Sequence, residues 1–251
     1  MVKRMSEGGF CSPADEILAH NIRRRKEIPG DFYSLLRLPN LFIYTQRMRS
    51  LIALLRRERA IPLANRKILE VGCGAGDWLL YLVICGASPH LLSGIDLDEV
   101  EIARASRRLP QADIRVGNAA KLPWCDGTFD IVLQMTAFST MLQHELRRAV
   151  AGEMLHVLKP DGFILWYDLR MDNPWNPGIR PVKPKEVERL FPDCSIRLKP
   201  ITLLPPLARQ IVPLSWVAGL LLEKIPFLRS HLLGSIRPAR STGLLPENRS
   251  S

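Results

Sequence analysis

Cysteine is scarce in this chain: five residues, at positions 11, 73, 85, 125 and 194, among 251. The number is odd and no two are spaced C-x-x-C, so neither a disulfide framework nor a zinc knuckle is supported and no metal is expected. Such usage suits a reducing cytosol. Long apolar runs are also missing. The longest, 211–222, holds 12 residues and includes Pro213, short of the ~20 needed to span a bilayer. Residues 1–9 carry basic side chains with no apolar run behind them, unlike a signal peptide. No self-similarity at a period of about 20–50 residues marks a solenoid.

Hydrophobic residues make up 47% and charged residues 24%, enough apolar material at this length for a buried core without a covalent staple. The formal charge of +10 is unevenly spread. Residues 1–66 hold 13 Lys/Arg against 6 Asp/Glu, residues 67–170 hold 10 against 13, and residues 171–251 hold 12 against 6. A mildly acidic middle therefore lies between two basic flanks. Either the flanks are solvated helix faces, or they face an anionic substrate, a membrane surface or nucleic acid.

The middle alternates between two periods. Residues 67–71 (KILEV), 91–96 (LLSGID), 113–116, 129–134 (FDIVLQ) and 162–168 (GFILWYD) read as strands. Residues 77–85, 99–108 and 144–158 read as helices between them. That alternation predicts an α/β fold, a mostly parallel sheet with helices on both faces. Residues 13–60 look helical, with Leu35, Leu41, Tyr44, Met48, Leu51, Leu54 and Leu55 near a 3.6-residue period. The Pro/Asn-rich 171–184 must be irregular. A helix at 185–191 and strands at 195–203 and 232–237 follow, with an apolar, proline-broken insertion at 205–228 between the strands. The expected division is a helical lid at 1–60, the α/β domain at 61–238 and a disordered tail at 239–251.

The sharpest chemical signal is Glu70, Gly72, Cys73, Gly74, Gly76 and Asp77, where the first strand ends and a helix starts. Glycines there permit positive φ and let the backbone approach a ligand at a helix N-terminus. Asp96 ends the next strand, 20 residues after Gly76, suited to accept both hydroxyls of a ribose; Leu97 and Asp98 follow it. Asn118 and Ala119 come just after the third strand, where an amide oxygen and a backbone N–H can meet an adenine. The nicotinamide-binding fingerprint G-x-G-x-x-G fits poorly, because the residue three after Gly74 is Asp77.

The segments ILEVGCGAGDW, GIDLDEVEIARA, GNAAKLPWCDGTFDIVLQ and EMLHVLKPDGFIL, in this order over about 67–168, resemble the class I S-adenosylmethionine-dependent methyltransferases. The likeness is to the group similar to the ubiquinone/menaquinone-biosynthesis methyltransferases (methyltransferase domain type 11). The resemblance implies a Rossmann-like sheet of seven strands with the last antiparallel, S-adenosyl-L-methionine as cofactor, and no metal for the transfer. It implies cofactor contacts at Gly72, Cys73, Gly74 and Gly76, a loop organised by Glu70, and a ribose bound by Asp96 beside Leu97. Asn118, where the family more often has aspartate, and Ala119 would meet the adenine. Gln134 and Met135 match the fourth-strand positions beside the transferred methyl group.

Outside that core the candidates rest on position alone. Asp168, at the end of the fifth strand, and His144, after the fourth, are the two side chains considered as catalytic bases. Against them stand, for Asp168, a loop cap or a pair with Arg170 and, for His144, an exposed helix terminus. Tyr33, Tyr44 and Arg47 are expected to line an acceptor pocket under the lid. The 205–228 insertion, whose apolar run is flanked by Arg209, Lys224 and Arg229, is expected to give that pocket an apolar entrance. It would also suit peripheral contact with the inner face of a membrane, or a homodimer contact. The expected protein is a cytosolic, bacterial methyltransferase acting on the hydroxyl of a small-molecule, lipid-linked or glycan-linked acceptor, not on DNA. RNA methylation and non-catalytic cofactor binding are the alternatives. No N/D-P-P-Y/F motif follows the fourth strand, where QMTA stands, and no RNA-binding module is recognisable.

Overall fold

The computed structural model describes residues 12–172, 176 and 178–239. Residues 240–251 of the tail expected to be disordered lie outside the described residues, as do residues 1–11.

Helix α1 (Pro13–Glu27) starts where Ser12 accepts from Asp15 N through its side chain, with a proline in the first turn. Its first turn is acidic (Asp15, Glu16) and its last basic (Arg24, Arg25, Lys26), matching the helix dipole at both ends. Helix α2 (Leu38–Arg57) buries Met48, Leu51, Leu54 and Leu55 of the expected stripe, and Phe42 in place of the half-buried Leu41 and Tyr44. The expectation of helix throughout 13–60 is corrected between them. Pro29 and Gly30 end the first helix, and residues 28–37 form turns. Asn40 Nδ2 pins this linker by donating to the carbonyls of Phe32 (2.7 Å) and Ser34 (2.9 Å).

The sheet comprises β1 (Ile68–Val71), β2 (Leu92–Asp96), β3 (Asp113–Val116), β4 (Phe129–Met135), β5 (Leu158–Leu169), β6 (Cys194–Leu203) and β7 (Arg229–Pro238). Its order is β3-β2-β1-β4-β5-β7-β6. The first five strands pair in parallel, and β7 runs antiparallel to both β5 and β6. Helices α3 (Asp77–Ile84), α4 (Glu99–Arg108), α5 (Ala137–Thr140), α6 (His144–His156) and α7 (Pro184–Leu190) provide the connections. The chain starts in the middle of the sheet, works outward to β3, then returns to β4. The reversal falls between β1 and β4, and their register (Val71 opposite Gln134) opens a crevice at their carboxyl ends. The helix expected at 144–158 stops at His156, and residues 158–161, ahead of the strand expected at 162–168, belong to β5. Leu158 pairs with Phe129 across a register shift before Ile131 meets Phe163.

Alternate residues face opposite sides of the sheet, and each side has its own core. Leu69, Val71, Val132 and Trp166 pack under α6 and α7, while Ile68, Leu133, Leu165 and Tyr167 pack with α2 and α3. A smaller cluster of Phe42, Leu203, Ala208 and Val212 joins α2 to the insertion. The insertion folds into α8 (Pro205–Ile211) and α9 (Trp216–Leu222). Phe42 meets Trp216 edge to face at 5.0 Å, and Gln46 Oε1 accepts from Leu203 N at 2.9 Å. No helix of the described residues is long and apolar enough to cross a membrane.

Candidate functional site

The turn after β1 is made possible by its glycines. Gly72, Gly74 and Gly76 have φ of 72°, 49° and 76°, a region that side-chain-bearing residues enter at a cost. At Gly72 there is a second reason: a Cβ would stand 2.8 Å from Ala137 Cβ at the start of α5. Asp96 closes the turn from the neighbouring strand. Its Oδ2 accepts from Gly74 N at 2.9 Å and its Oδ1 from Asp98 N at 3.0 Å. Each oxygen keeps a further lone pair. Behind the turn Glu70 is buried, its Oε2 has no hydrogen-bond partner, and burial, then Asp77 and Asp96, push its carboxyl well above the usual range. Cys73 is buried too, and burial raises its thiol.

These elements shape a cavity of about 240 Å³. Gly72, Asp96, Leu97, Asn118, Ala119 and Met135 line it, six of the residues named from the sequence. Glu70, Cys73, Gly74, Gly76 and Gln134 stand outside its wall. Gln134 is fully buried; its Oε1 accepts from Ala137 N at 3.0 Å and its Nε2 is unpartnered. Asn118 Oδ1 already accepts from Ala120 N at 2.9 Å, which leaves one lone pair and both amide hydrogens. Helix α1 completes the wall with Ala14, Ile17 and Asn21. Arg25 on the same helix pairs with Asp98, the N-cap of α4, and with Glu101 at 3.3 Å. The Gly72 cradle and the open valences of Asp96 and Asn118 fit a nucleoside bearing an amino acid, as S-adenosyl-L-methionine does.

A second cavity of about 900 Å³ adjoins the first, and Asn21, Thr136 and Thr140 line both. Thr136, at φ 70°, lies between them; its N–H donates to Tyr167 O at 2.8 Å. A non-glycine residue held in this region costs of order 1–3 kcal/mol and persists only where its surroundings over-determine it. Thr202 (φ 66°) lines the same cavity. Tyr167 stacks on His231 with centroids 4.8 Å apart, and its hydroxyl is 3.0 Å from Thr202 Oγ1. Ser230 Oγ donates to Thr202 O (3.1 Å) and lies 2.8 Å from His231 Nδ1. Its single proton is thereby committed, so Nδ1 donates and Nε2 is the ring's acceptor. Burial, then Arg47, push His231 down to about 3, which keeps the ring neutral.

Tyr33 and Arg47 line the larger cavity as expected, and Pro205, Pro206, Arg209 and Gln210 of the insertion contribute one side. Tyr44 does not; it packs edge to face on Tyr81 at 6.2 Å. The two residues considered as bases lie elsewhere. Asp168 is fully buried and accepts from the backbone N–H groups of Ser139 (3.2 Å) and Leu169 (2.7 Å); burial pushes it up to about 6. His144 sits at the exposed start of α6, 3.7 Å from Glu186, and lines neither cavity. Sequence reasoning passed over Asn21, Thr136, Thr140, Ser230 and His231. No local motif marks them, and only the fold brings α1, the end of β4 and the start of β7 to one place.

Residues 68–162 match the profile of a family described as a methyltransferase domain. Among curated proteins, the chain is 36% identical over 115 residues to phthiotriol/phenolphthiotriol dimycocerosates methyltransferase 1 of Mycobacterium ulcerans, covering 45% of this chain and 41% of that protein. It is 32% identical over 125 residues to an uncharacterized methyltransferase of Synechocystis sp., covering 47% and 57%. The chain thus spans about half the length, or less, of these relatives. Among solved structures it resembles a putative sarcosine dimethylglycine methyltransferase from Galdieria sulphuraria (TM-score 0.57, 14% identity, 77% and 86% covered). It also resembles the [4+2]-cyclase SpnF (0.56, 21%, 77% and 81%). At these identities the structural likenesses carry the fold alone.

Proposed function

We propose that this chain, whose residues 68–162 match a methyltransferase domain, is an S-adenosyl-L-methionine-dependent methyltransferase acting on a hydroxyl of a small, lipid-linked or glycan-linked acceptor. The observation that carries the reading is the junction: the glycine-turn cavity opens through Asn21, Thr136 and Thr140 into a larger one. One ligand is held by backbone, and a second can approach it from the side walled by Tyr167 and His231.

Gly72, on the turn that Gly74 and Gly76 shape, would take the methionine portion against bare backbone, Asp96 the ribose hydroxyls, and Asn118 with Ala119 the adenine. Arg47 is the cation available for the carboxylate. Its guanidinium stacks over Trp78 (5.2 Å) and Tyr167 (5.9 Å), and its Nε is buried without a partner. When bound, S-adenosyl-L-methionine supplies a methyl group on a sulfonium. The protein then has to hold the acceptor in line and dry, and alignment alone can supply about 7–11 kcal/mol. His231 Nε2, Tyr167 and Thr202 are the polar groups able to orient a hydroxyl in the larger cavity. Asp168, turned onto the backbone of Ser139, would fix α5 beside that junction.

The relatives include phthiotriol/phenolphthiotriol dimycocerosates methyltransferases of Mycobacterium, whose names specify a triol, which favours a hydroxyl acceptor. The fold also houses a cyclase, so the reaction itself needs a direct test. Incubation with methyl-labelled cofactor and fractionated extract should label one lipid or small-molecule fraction. Tight adenosylhomocysteine binding with no labelled fraction would leave a binding protein; label in RNA would move the acceptor class.

A further inference from the structure

Some arginines beside the site are spent on carboxylates. Arg25 is held by Asp98 and Glu101, and Arg49 on α2 reaches Glu223 at 3.0 Å. Two arginines of the larger cavity are treated differently. Arg24, one residue before Arg25, directs Nη2 to the Tyr33 hydroxyl at 3.2 Å. Arg209, on α8, lies over the Phe32 ring at 4.5 Å. Phe32 and Tyr33 meet edge to face at 4.9 Å, on the linker that Asn40 pins. Two guanidinium groups from distant parts of the chain are thus brought to one rigid aromatic platform. Neither forms an ion pair among the described residues. Among the described residues Asp172 is the lone carboxylate in the cavity wall, with Arg47 as a third cation.

Arg209, fixed by stacking, keeps its N–H fork free for an oxyanion, and Arg24 spends only one of its five N–H donors on Tyr33; the weak hydration of a guanidinium makes the exchange of water for an oxyanion favourable. The field is felt nearby: the ring of His20, on α1, is pushed down by burial and then by Arg24 and Arg23. Outside the pair, Phe32, Leu38, Pro39 and Pro213 wall a mainly apolar groove of about 390 Å³ that Arg209, Asn40 and Arg37, the last paired with Asp31, also border. A cationic pair at the mouth of a cavity, with an apolar groove beyond it, matches an anionic amphiphile.

We propose that the acceptor carries a carboxylate or phosphate bound between Arg24 and Arg209, with its apolar portion along the Phe32–Pro213 groove. This rests on the reading of the larger cavity as the acceptor site. The test is calorimetry on the full chain with octyl phosphate, 3-hydroxyoctanoate and the neutral methyl ester of the latter. Adenosylhomocysteine is titrated separately on every variant. At least one anion should bind about tenfold or more tightly than the ester, the size of one charge-assisted hydrogen bond. That preference should vanish in Arg24→Gln/Arg209→Gln, with adenosylhomocysteine affinity unchanged. Which anion wins separates phosphate from carboxylate acceptors. An ester bound as well as either anion, no binding of either anion, or a variant that keeps the preference would overturn the proposal. Loss of adenosylhomocysteine binding by the wild type would instead overturn the methyltransferase reading and leave the anion comparison readable.

Discussion

The two cavities differ in how they are made. The smaller is built largely from one stretch, 71–150, with main-chain geometry and one carboxylate doing the shaping, and only α1 comes from elsewhere. The larger draws its wall from α1, the linker, α2, the ends of β4, β5 and β6, α8 and β7. A site made of backbone turns must repeat the same glycines and the same acidic residue wherever it occurs, because few other residues adopt those angles. A site made of side chains on converging elements is free to change. The match to a methyltransferase domain, confined to 68–162, follows that division.

The largest effect should come from removing the one carboxylate that organises the smaller cavity. Asp96→Ala deletes the acceptor for Gly74 N and Asp98 N together with the proposed acceptor for two ribose hydroxyls. Charged hydrogen bonds of roughly 1.5–3 kcal/mol each predict a loss of about 3–6 kcal/mol, a hundredfold or more in adenosylhomocysteine affinity. Calorimetry on a variant whose melting curve shows it folded would check this. Unchanged affinity would separate the cavity from the cofactor.

Asp168 probes the boundary between the two regions through pH. Its carboxyl is raised to about 6 in the fold against about 3.9 in an unfolded chain. The folded state therefore holds the extra proton between these values, and stability falls as pH rises from about 4 through about 6. The shift corresponds to about 3 kcal/mol. Asp168→Asn does not ionise, so its stability relative to wild type should improve by about that amount between pH 4 and pH 7. Parallel denaturation curves at all pH values would show that the carboxyl does not titrate there.

Backbone shape is the next lever. Gly72→Ala must carry a Cβ 2.8 Å from Ala137 Cβ at φ 72°, whereas at Gly74 (φ 49°) nothing lies within 4 Å. Left-handed strain costs each about 1–2 kcal/mol. The clash adds to it only at Gly72, and it pushes on α5 beside the junction. Gly72→Ala should then lower both stability and adenosylhomocysteine affinity more than Gly74→Ala does. Equal effects would mean that conformational freedom, not close approach, is what the first glycine provides.

The same division explains what could be read from the sequence. The strands of 67–168 and the glycine–Asp96–Asn118 series were legible because each is a short-range pattern: alternation, a turn residue, a strand end. The linker at 28–37 was hidden by leucines that keep helical spacing through Leu35, although Pro29 and Gly30 interrupt the chain. Thr136 looked ordinary, since a positive φ at threonine is imposed by tertiary contacts and leaves no mark in composition. Tyr44 and Arg47 lie three apart on one helix, yet one packs on Tyr81 and the other faces the cavity. Only the crossing of α2 with the sheet decides between them.

The smallest effect is the one that tests whether α1 belongs to the first region or the second. It walls the smaller cavity through Ala14, Ile17 and Asn21, yet carries His20 and Arg24 into the larger. Its visible fastening to the domain is Arg25 on Asp98 and Glu101. Arg25 is one-third exposed, so solvent weakens the pair, and Arg25→Ala should cost no more than about 1 kcal/mol of stability. If α1 is a lid over the nucleoside, releasing that fastening should raise both the association and dissociation rates of adenosylhomocysteine, with dissociation gaining more. Stopped-flow tryptophan fluorescence would read both rates, since Trp78 follows the glycine turn. Unchanged rates in Arg25→Ala would mean that α1 is held by its apolar face alone, and that the cofactor enters by the wide cavity on the acceptor side.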